Sequence, residues 1–207
     1  MQIEEYDFSV IGVLKEGFRR AYGAKLIFVG AVFIYYLIQI LMGAVIIMLL
    51  PSLMQVVDQI VGILTLPISV GIVLLGIKRA REEEIRIPDI FNYFGEFPKL
   101  LLAYIMVSIL LVIGFLLLVL PGIYLAISYT FVLPLIVDKK MGIWEAMELS
   151  RKTITKQWFK FFGLTILAVL FIVLSAIPFG IGLIWSIPTV YIAYGLLYHR
   201  LFDESES

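Results

Sequence analysis

The chain has no cysteine and a single histidine, His199, in 207 residues. Without cysteine there are no disulfides, no thiolate nucleophiles and no thiolate metal sites. One histidine leaves no imidazole cluster for a metal ion. Charge is scarce as well: 15% of residues are charged against 62% hydrophobic, and 16 Lys and Arg are balanced by 16 Asp and Glu. A net charge of zero gives no electrostatic footing for a nucleic-acid partner. The N-terminus, MQIEEYDFSV, is acidic where a cleavable signal peptide would be basic. No Gly/Ser-rich linker or low-complexity tract interrupts the sequence, so residues 1–207 read as one domain.

What is present is apolar sequence in long runs, with a mean hydropathy of +1.05. A soluble domain of this length could not hide so much of it. The expected fold is all-α, a polytopic integral membrane protein. Six spans are expected, over residues 26–50, 55–77, 100–120, 123–137, 161–177 and 183–198. The cations set their orientation. With six spans, all 16 Lys and Arg fall on the side of the N-terminus, and the opposite turns near Pro51, Pro121 and Pro178 carry none. The positive-inside rule then places both termini in the cytoplasm, and the expected location is a bacterial inner membrane.

Between Lys99 and Asp138 lie 38 residues without an Asp, Glu, Lys, Arg or His. As one straight helix they would measure roughly 57 Å, nearly twice a bilayer's hydrocarbon core, so the segment must fold back. Pro121-Gly122 is the expected turn. The span after it has 15 residues, residues 123–137, or about 22 Å of helix. The turn is therefore expected to be recessed, either as a plain structural turn or as the rim of a cavity.

Each pair of spans is preceded by a short amphipathic segment. In residues 8–22, Ile11, Leu14, Phe18 and Ala21 form a stripe opposite Lys15, Arg19 and Arg20, and Glu16 can pair with Arg20. Residues 88–98 gather Phe91, Tyr93, Phe94 and Phe97. In residues 142–157 the stripe is Ile143, Met147 and Ile154, continued by Trp158, opposite Glu145, Glu148, Lys152 and Lys156. These segments are expected either to lie in the cytoplasmic interface or to cap the helix ends. Three hairpins, each with its interfacial helix, make three parallel units. Residues 203–207 are expected to be a disordered tail.

The block LPGIYLAISYTFVLPLIVDKKMGIWEAMELSRKTITKQWFKFFG, residues 120–163, resembles the signature region of the YciC-like bacterial inner-membrane proteins. It is also similar to the membrane domain attached to glycerophosphoryl diester phosphodiesterases. The matching positions are Pro121, Gly122, Tyr124, Tyr129, Pro134, Asp138, Ala146, Ser150, Trp158 and Gly163, and the late IWSIPTVYIAYGLLYHRLF also fits. The resemblance implies a six-helix fold. It implies no phosphodiesterase chemistry, because the catalytic domain of those enzymes is absent from this sequence.

Asp58 is the one ionisable residue near the outer half. An intramembrane carboxylate can serve as a proton or cation site, and Gln39, Gln55 and Gln59 could join it. It also lies seven residues after Pro51, close enough to the interface for a structural role. Pro67, Pro134 and Pro188 fall inside spans, either as ordinary kinks or as breaks that expose carbonyls. Tyr191, Tyr194 and Tyr198 recur at i, i+3 and i+7, and can line a cavity or simply pack. Asp58, Gln59, Pro121, Gly122, Tyr124, Tyr129, Tyr191 and Tyr194 make the candidate cavity or ligand set. Arg151 interrupts the apolar stripe beside Ser150, placed to reach a lipid headgroup or to pair with Asp138 or Glu145. Arg151, Ser150, Lys152 and Trp158 make the candidate headgroup or partner contact.

Catalysis has little footing. No second intramembrane acid stands with Asp58, His199 is alone at a helix end, and no phosphate-cradling loop is present. No catalytic residue, cofactor or metal site is expected. The preferred reading is a non-enzymatic membrane module that engages lipids or another membrane protein through its interfacial helices and an intramembrane groove. A small-solute or ion transporter or channel using Asp58 and the recessed Pro121-Gly122 turn is the alternative, and an accessory or immunity-type membrane protein a further one. Membrane lipids, a membrane-protein partner or a second copy of the chain are the expected partners.

Overall fold

The computed structural model describes residues 7–203, and every structured element in that range is helical. Ten α-helices follow one another: α1 Val10–Ala21, α2 Lys25–Leu49, α3 Val57–Leu64, α4 Leu66–Ala80, α5 Phe97–Leu117, α6 Val119–Ser128, α7 Val132–Asp138, α8 Ile143–Thr155, α9 Trp158–Ala176 and α10 Leu183–Phe202. Four stretches are long and apolar enough to cross a membrane: Lys25–Leu49, Ile87–Leu117, Val119–Asp138 and Trp158–Ala176. A fifth is counted if α3 and α4, bent by 55° at their junction, form one span. The large exposed side chains of α2, α5 and α9 are almost all apolar, including Phe33, Ile40, Ile109, Val112, Val169 and Val173. That surface is the composition of a membrane-embedded protein.

The expected sixth span, α10, is not among these stretches and lies deep in the interior. Its residues Ser186, Thr189, Ile192, Ala193, Gly195, Leu196 and Leu197 are buried, and so is nearly all of α4. Small residues allow the contact. The Gly76 and Gly195 backbones touch each other, and a side chain at either position would strike the other helix. On the opposite flank Gly17 of α1 lies against α10, where a Cβ would stand 2.7 Å from the Thr189 carbonyl oxygen.

That last contact corrects the expectation for α1. The helix is capped by Ser9, whose hydroxyl accepts from Gly12 N–H at 3.2 Å, and Glu16 pairs with Arg20 at 2.7 Å. But its packed face is Val13, Gly17 and Ala21, while Ile11 and Phe18 are 72% and 49% exposed. Ile11 and Phe18 point outward, and Leu14 packs at the edge of the core, because close approach of two backbones requires the small residues to be inside.

Two of the three expected spans with an internal proline are broken. In the first, Pro67 in the first turn of α4 cannot donate a backbone hydrogen bond, and the chain bends at Thr65. Thr65 Oγ1 donates to the Val61 carbonyl at 2.8 Å and accepts from Gln39 Nε2 of α2 at 3.3 Å, which pins the bend. In the second, α6 and α7 separate at Tyr129–Phe131 ahead of Pro134. Pro188, by contrast, sits inside an unbroken α10.

The Pro121-Gly122 turn is also relocated. Leu118 alone, with φ −165° and ψ 153°, separates α5 from α6, and Pro121-Gly122 lies in the first turns of α6. A proline there costs no hydrogen bond, because the first N–H groups of a helix have no intrahelical partner. Gly122 has a packing role: a Cβ on it would strike the Phe115 ring. The tip itself, Leu116 to Leu120, is exposed and wholly apolar. Residues 88–98 form two short 3₁₀ turns, Ile87–Phe91 and Phe94–Glu96, rather than an amphipathic helix. Of the expected disordered tail, Asp203 is held by ion pairs, and residues 204–207 lie outside the described residues.

Candidate functional site

A cavity of about 720 Å³ opens between α2, α4, α9 and α10. Its volume is that of a small-molecule site. From α2 come Val32, Tyr35 and Tyr36; from α4, Ser69, Ile72 and Val73; from α9, Ile172. The α6–α7 break contributes Thr130 and Phe131, and α10 contributes Leu183, Ile187, Val190, Tyr191 and Tyr194. No charged residue lines it. Tyr36, 59% exposed, stands at the rim.

The wall at Phe131 is set by a side chain that the sequence had placed elsewhere. Ser150 of α8 is fully buried: its hydroxyl donates to the Ser128 carbonyl at 2.7 Å and accepts from Phe131 N–H at 3.3 Å. It thereby satisfies backbone groups that the break leaves without helical partners. Phe131 is then met edge-on by Phe161, Tyr194, Tyr198 and Phe202, with ring centroids 5.6 to 6.4 Å away. Ser150 is thus a structural strut rather than a surface contact.

On the other side of the cavity, Tyr191 stacks on Phe28 at 6.0 Å. Thr165 of α9 donates to the Phe161 carbonyl at 2.9 Å and meets the Tyr194 hydroxyl at 2.8 Å. Tyr198, the third member of the tyrosine stripe, turns away and donates to Asp138 at 2.9 Å.

Asp138 belongs to a charged cluster where α4, α7 and α10 end. The Arg81 guanidinium grips Asp138 through Nη1 and Nη2 at 2.8 and 2.6 Å, and Asp203 through Nε and Nη2 at 2.7 and 2.9 Å. Lys139 and His199 complete the shell of Asp203 at 2.9 and 2.7 Å. Burial pushes the Asp203 carboxyl up, but hydrogen bonds from Arg81, His199 and Lys139 outweigh it and hold the group well below the usual carboxylate range. The Arg81 guanidinium is pushed up, chiefly by Asp138.

The other expected site residues lie apart from the cavity. Asp58 and Gln59 are exposed in the first turn of α3, where a carboxylate complements the helix dipole. Tyr124 is half-buried and its hydroxyl meets Thr155 at 2.7 Å. Tyr129 packs against the core beneath α6. Arg151 pairs with neither Asp138 nor Glu145; it and Lys152 both pair with Glu148 at 3.0 Å, on one turn of α8. Trp158 donates from Nε1 to the Tyr124 carbonyl at 3.3 Å and stacks on Phe162 at 5.1 Å. A surface hollow at this α8–α9 elbow is lined by Asp7, Lys156, Trp158, Phe159 and Lys160. Among the described residues, no group of three His, Cys, Asp or Glu is placed to hold a metal ion.

Of the cavity, the sequence showed Tyr191 and Tyr194 through their spacing. It did not show Tyr35, Tyr36, Ser69 or Thr130, whose only signal is a hydroxyl in an apolar run. No family model, curated protein or solved structure matches the chain, so the resemblance of residues 120–163 rests on those residues alone.

Proposed function

We propose that the chain is a non-enzymatic bacterial inner-membrane protein that engages lipids through an intramembrane groove, with its cationic end in the cytoplasm. The observation that carries this reading is the 720 Å³ cavity at the level of Val32, Ile72 and Tyr191, in the apolar part of three helices. Its lining is apolar with hydroxyls and no charge, suited to a lipid and not to an ion or a soluble anion. The elbow at Trp158, with exposed Phe159 and with Lys156 and Lys160, supplies aromatic and basic groups of the kind that sit at headgroup depth. Six spans remain the reading that puts every cation on one side. The Arg81–Asp138–Asp203 cluster supports it, because it joins the last helix of each expected unit.

Native mass spectrometry of the protein released from native-membrane nanodiscs tests the proposal. The expected result is one stoichiometric lipid, lost when Val73→Trp fills the cavity. Protein released without a bound molecule, or with one that Val73→Trp leaves in place, sinks it.

A further inference from the structure

The hydroxyls around the cavity narrow the ligand class, and this step rests on the lipid-groove reading above. Ser69 Oγ donates to the Leu66 carbonyl at 2.8 Å, and Thr130 Oγ1 donates to the Ile127 carbonyl at 2.7 Å. Because the Thr165 hydrogen goes to Phe161, the Tyr194 hydroxyl is the donor in its bond to Thr165. The hydrogens of these three hydroxyls are therefore committed to the protein, and only their lone pairs remain to offer. The hydroxyls of Tyr35, Tyr36 and Tyr191 stand differently: none makes a hydrogen bond among the described residues, so each can still donate. The cavity thus presents both acceptors and donors without any charge. A ligand hydroxyl answers both. A ketone or ester carbonyl answers only the donors.

A phosphate is unsuited to the same place. Along α4, Ser69 is nine residues from Lys78; along α10, Tyr191 is nine residues from Arg200; along α2, Val32 is seven from Lys25. At 1.5 Å per residue these separations are about 10 to 14 Å along the helix axes; the Lys25 ammonium reaches the Trp185 ring of α10 at 5.0 Å, but no Lys or Arg lines the cavity. A phosphate in the cavity would be desolvated without a cation beside it, which is strongly unfavourable. We infer that the cavity binds an uncharged lipid alcohol, one or two apolar chains ending in a hydroxyl at mid-membrane depth, rather than a phospholipid headgroup.

The experiment compares two probes with identical chains, dioleoylglycerol and dioleoylphosphatidic acid, offered to delipidated full-length protein in nanodiscs, with occupancy read by native mass spectrometry. The expected result is one dioleoylglycerol per chain, at least tenfold tighter than dioleoylphosphatidic acid and abolished by Val73→Trp. Tyr191→Phe should weaken it by roughly three- to tenfold, the value of one neutral hydrogen bond. Equal or tighter binding of dioleoylphosphatidic acid, still abolished by Val73→Trp, overturns the alcohol inference and leaves the lipid groove standing. Binding of neither probe, by protein whose thermal melt is intact, overturns both.

Discussion

Replacing Arg81 with methionine removes a cation while keeping most of its stem. Four charge-assisted hydrogen bonds vanish, two to Asp138 and two to Asp203. The side chains of Arg81, Asp138 and Asp203 are 20%, 16% and 17% exposed, so the cluster is mostly, though not fully, shielded from water. Removing one partner of a fully buried pair costs about 3–5 kcal/mol, because the other charge stays buried. Here Asp203 keeps Lys139 and His199 and Asp138 keeps Tyr198, which lowers the expected loss to about 2–4 kcal/mol. The assay is equilibrium unfolding in mixed micelles, followed by helical circular dichroism. Much of the cost is carried by the stranded carboxylates. Adding Asp138→Asn and Asp203→Asn to the Arg81→Met protein should therefore restore part of the stability. A loss below about 0.5 kcal/mol for Arg81→Met, or a further loss in the triple variant, would refute the account of this cluster as what ties α4, α7 and α10 together.

The same cluster has a pH signature. The folded Asp203 carboxyl titrates below its unfolded value of about 3.9, so its contribution is fully present above that pH and fades only as pH falls through the folded value; melting temperature should hold level from pH 8 to 5 and then drop more steeply than in Asp203→Asn. Ser150→Ala strands backbone groups at the α6–α7 break and should cost about 1–3 kcal/mol in the same unfolding assay, although the site is not on the surface. Gly17→Leu should lift α1 from α10. In this cysteine-free chain a Val13→Cys reporter, 2% exposed in the intact packing, should then react quickly with maleimide where the Gly17 protein reacts slowly. Asp58→Asn should leave lipid occupancy in native mass spectra unchanged and cost less than about 1 kcal/mol, since Asp58 is exposed in the first turn of α3 and does not line the cavity.

The long apolar runs made the outer helices legible from residues alone, because 20-odd uncharged positions leave the chain no other way to satisfy its backbone. Turns and faces were less legible, and for definable reasons. Pro121-Gly122 reads equally as a turn or as the opening of a helix, and only the close approach of Phe115 explains the glycine. The α1 stripe of Ile11, Leu14, Phe18 and Ala21 obeys helical periodicity, yet periodicity cannot tell a lipid-facing stripe from a core-facing one, and of the four only Ala21 is fully buried. Where two backbones must touch, the inward face is Val13, Gly17 and Ala21. Arg81, Asp138 and Asp203 are separated by 57 and 65 residues, and no local pattern joins them. The cavity was half visible: Tyr191 and Tyr194 fall on one face of α10, but the partners that make a hollow of that face come from four other parts of the chain.

A benzophenone side chain carried at position 36, on the cavity rim, offers the most direct test of the groove. Illuminated in native membranes, it should capture one discrete lipid species, and Val73→Trp should abolish that product. The same probe at position 109, on the exposed face of α5, should capture the bulk lipid mixture with or without that substitution. Capture of the same bulk mixture from both positions would contradict the account.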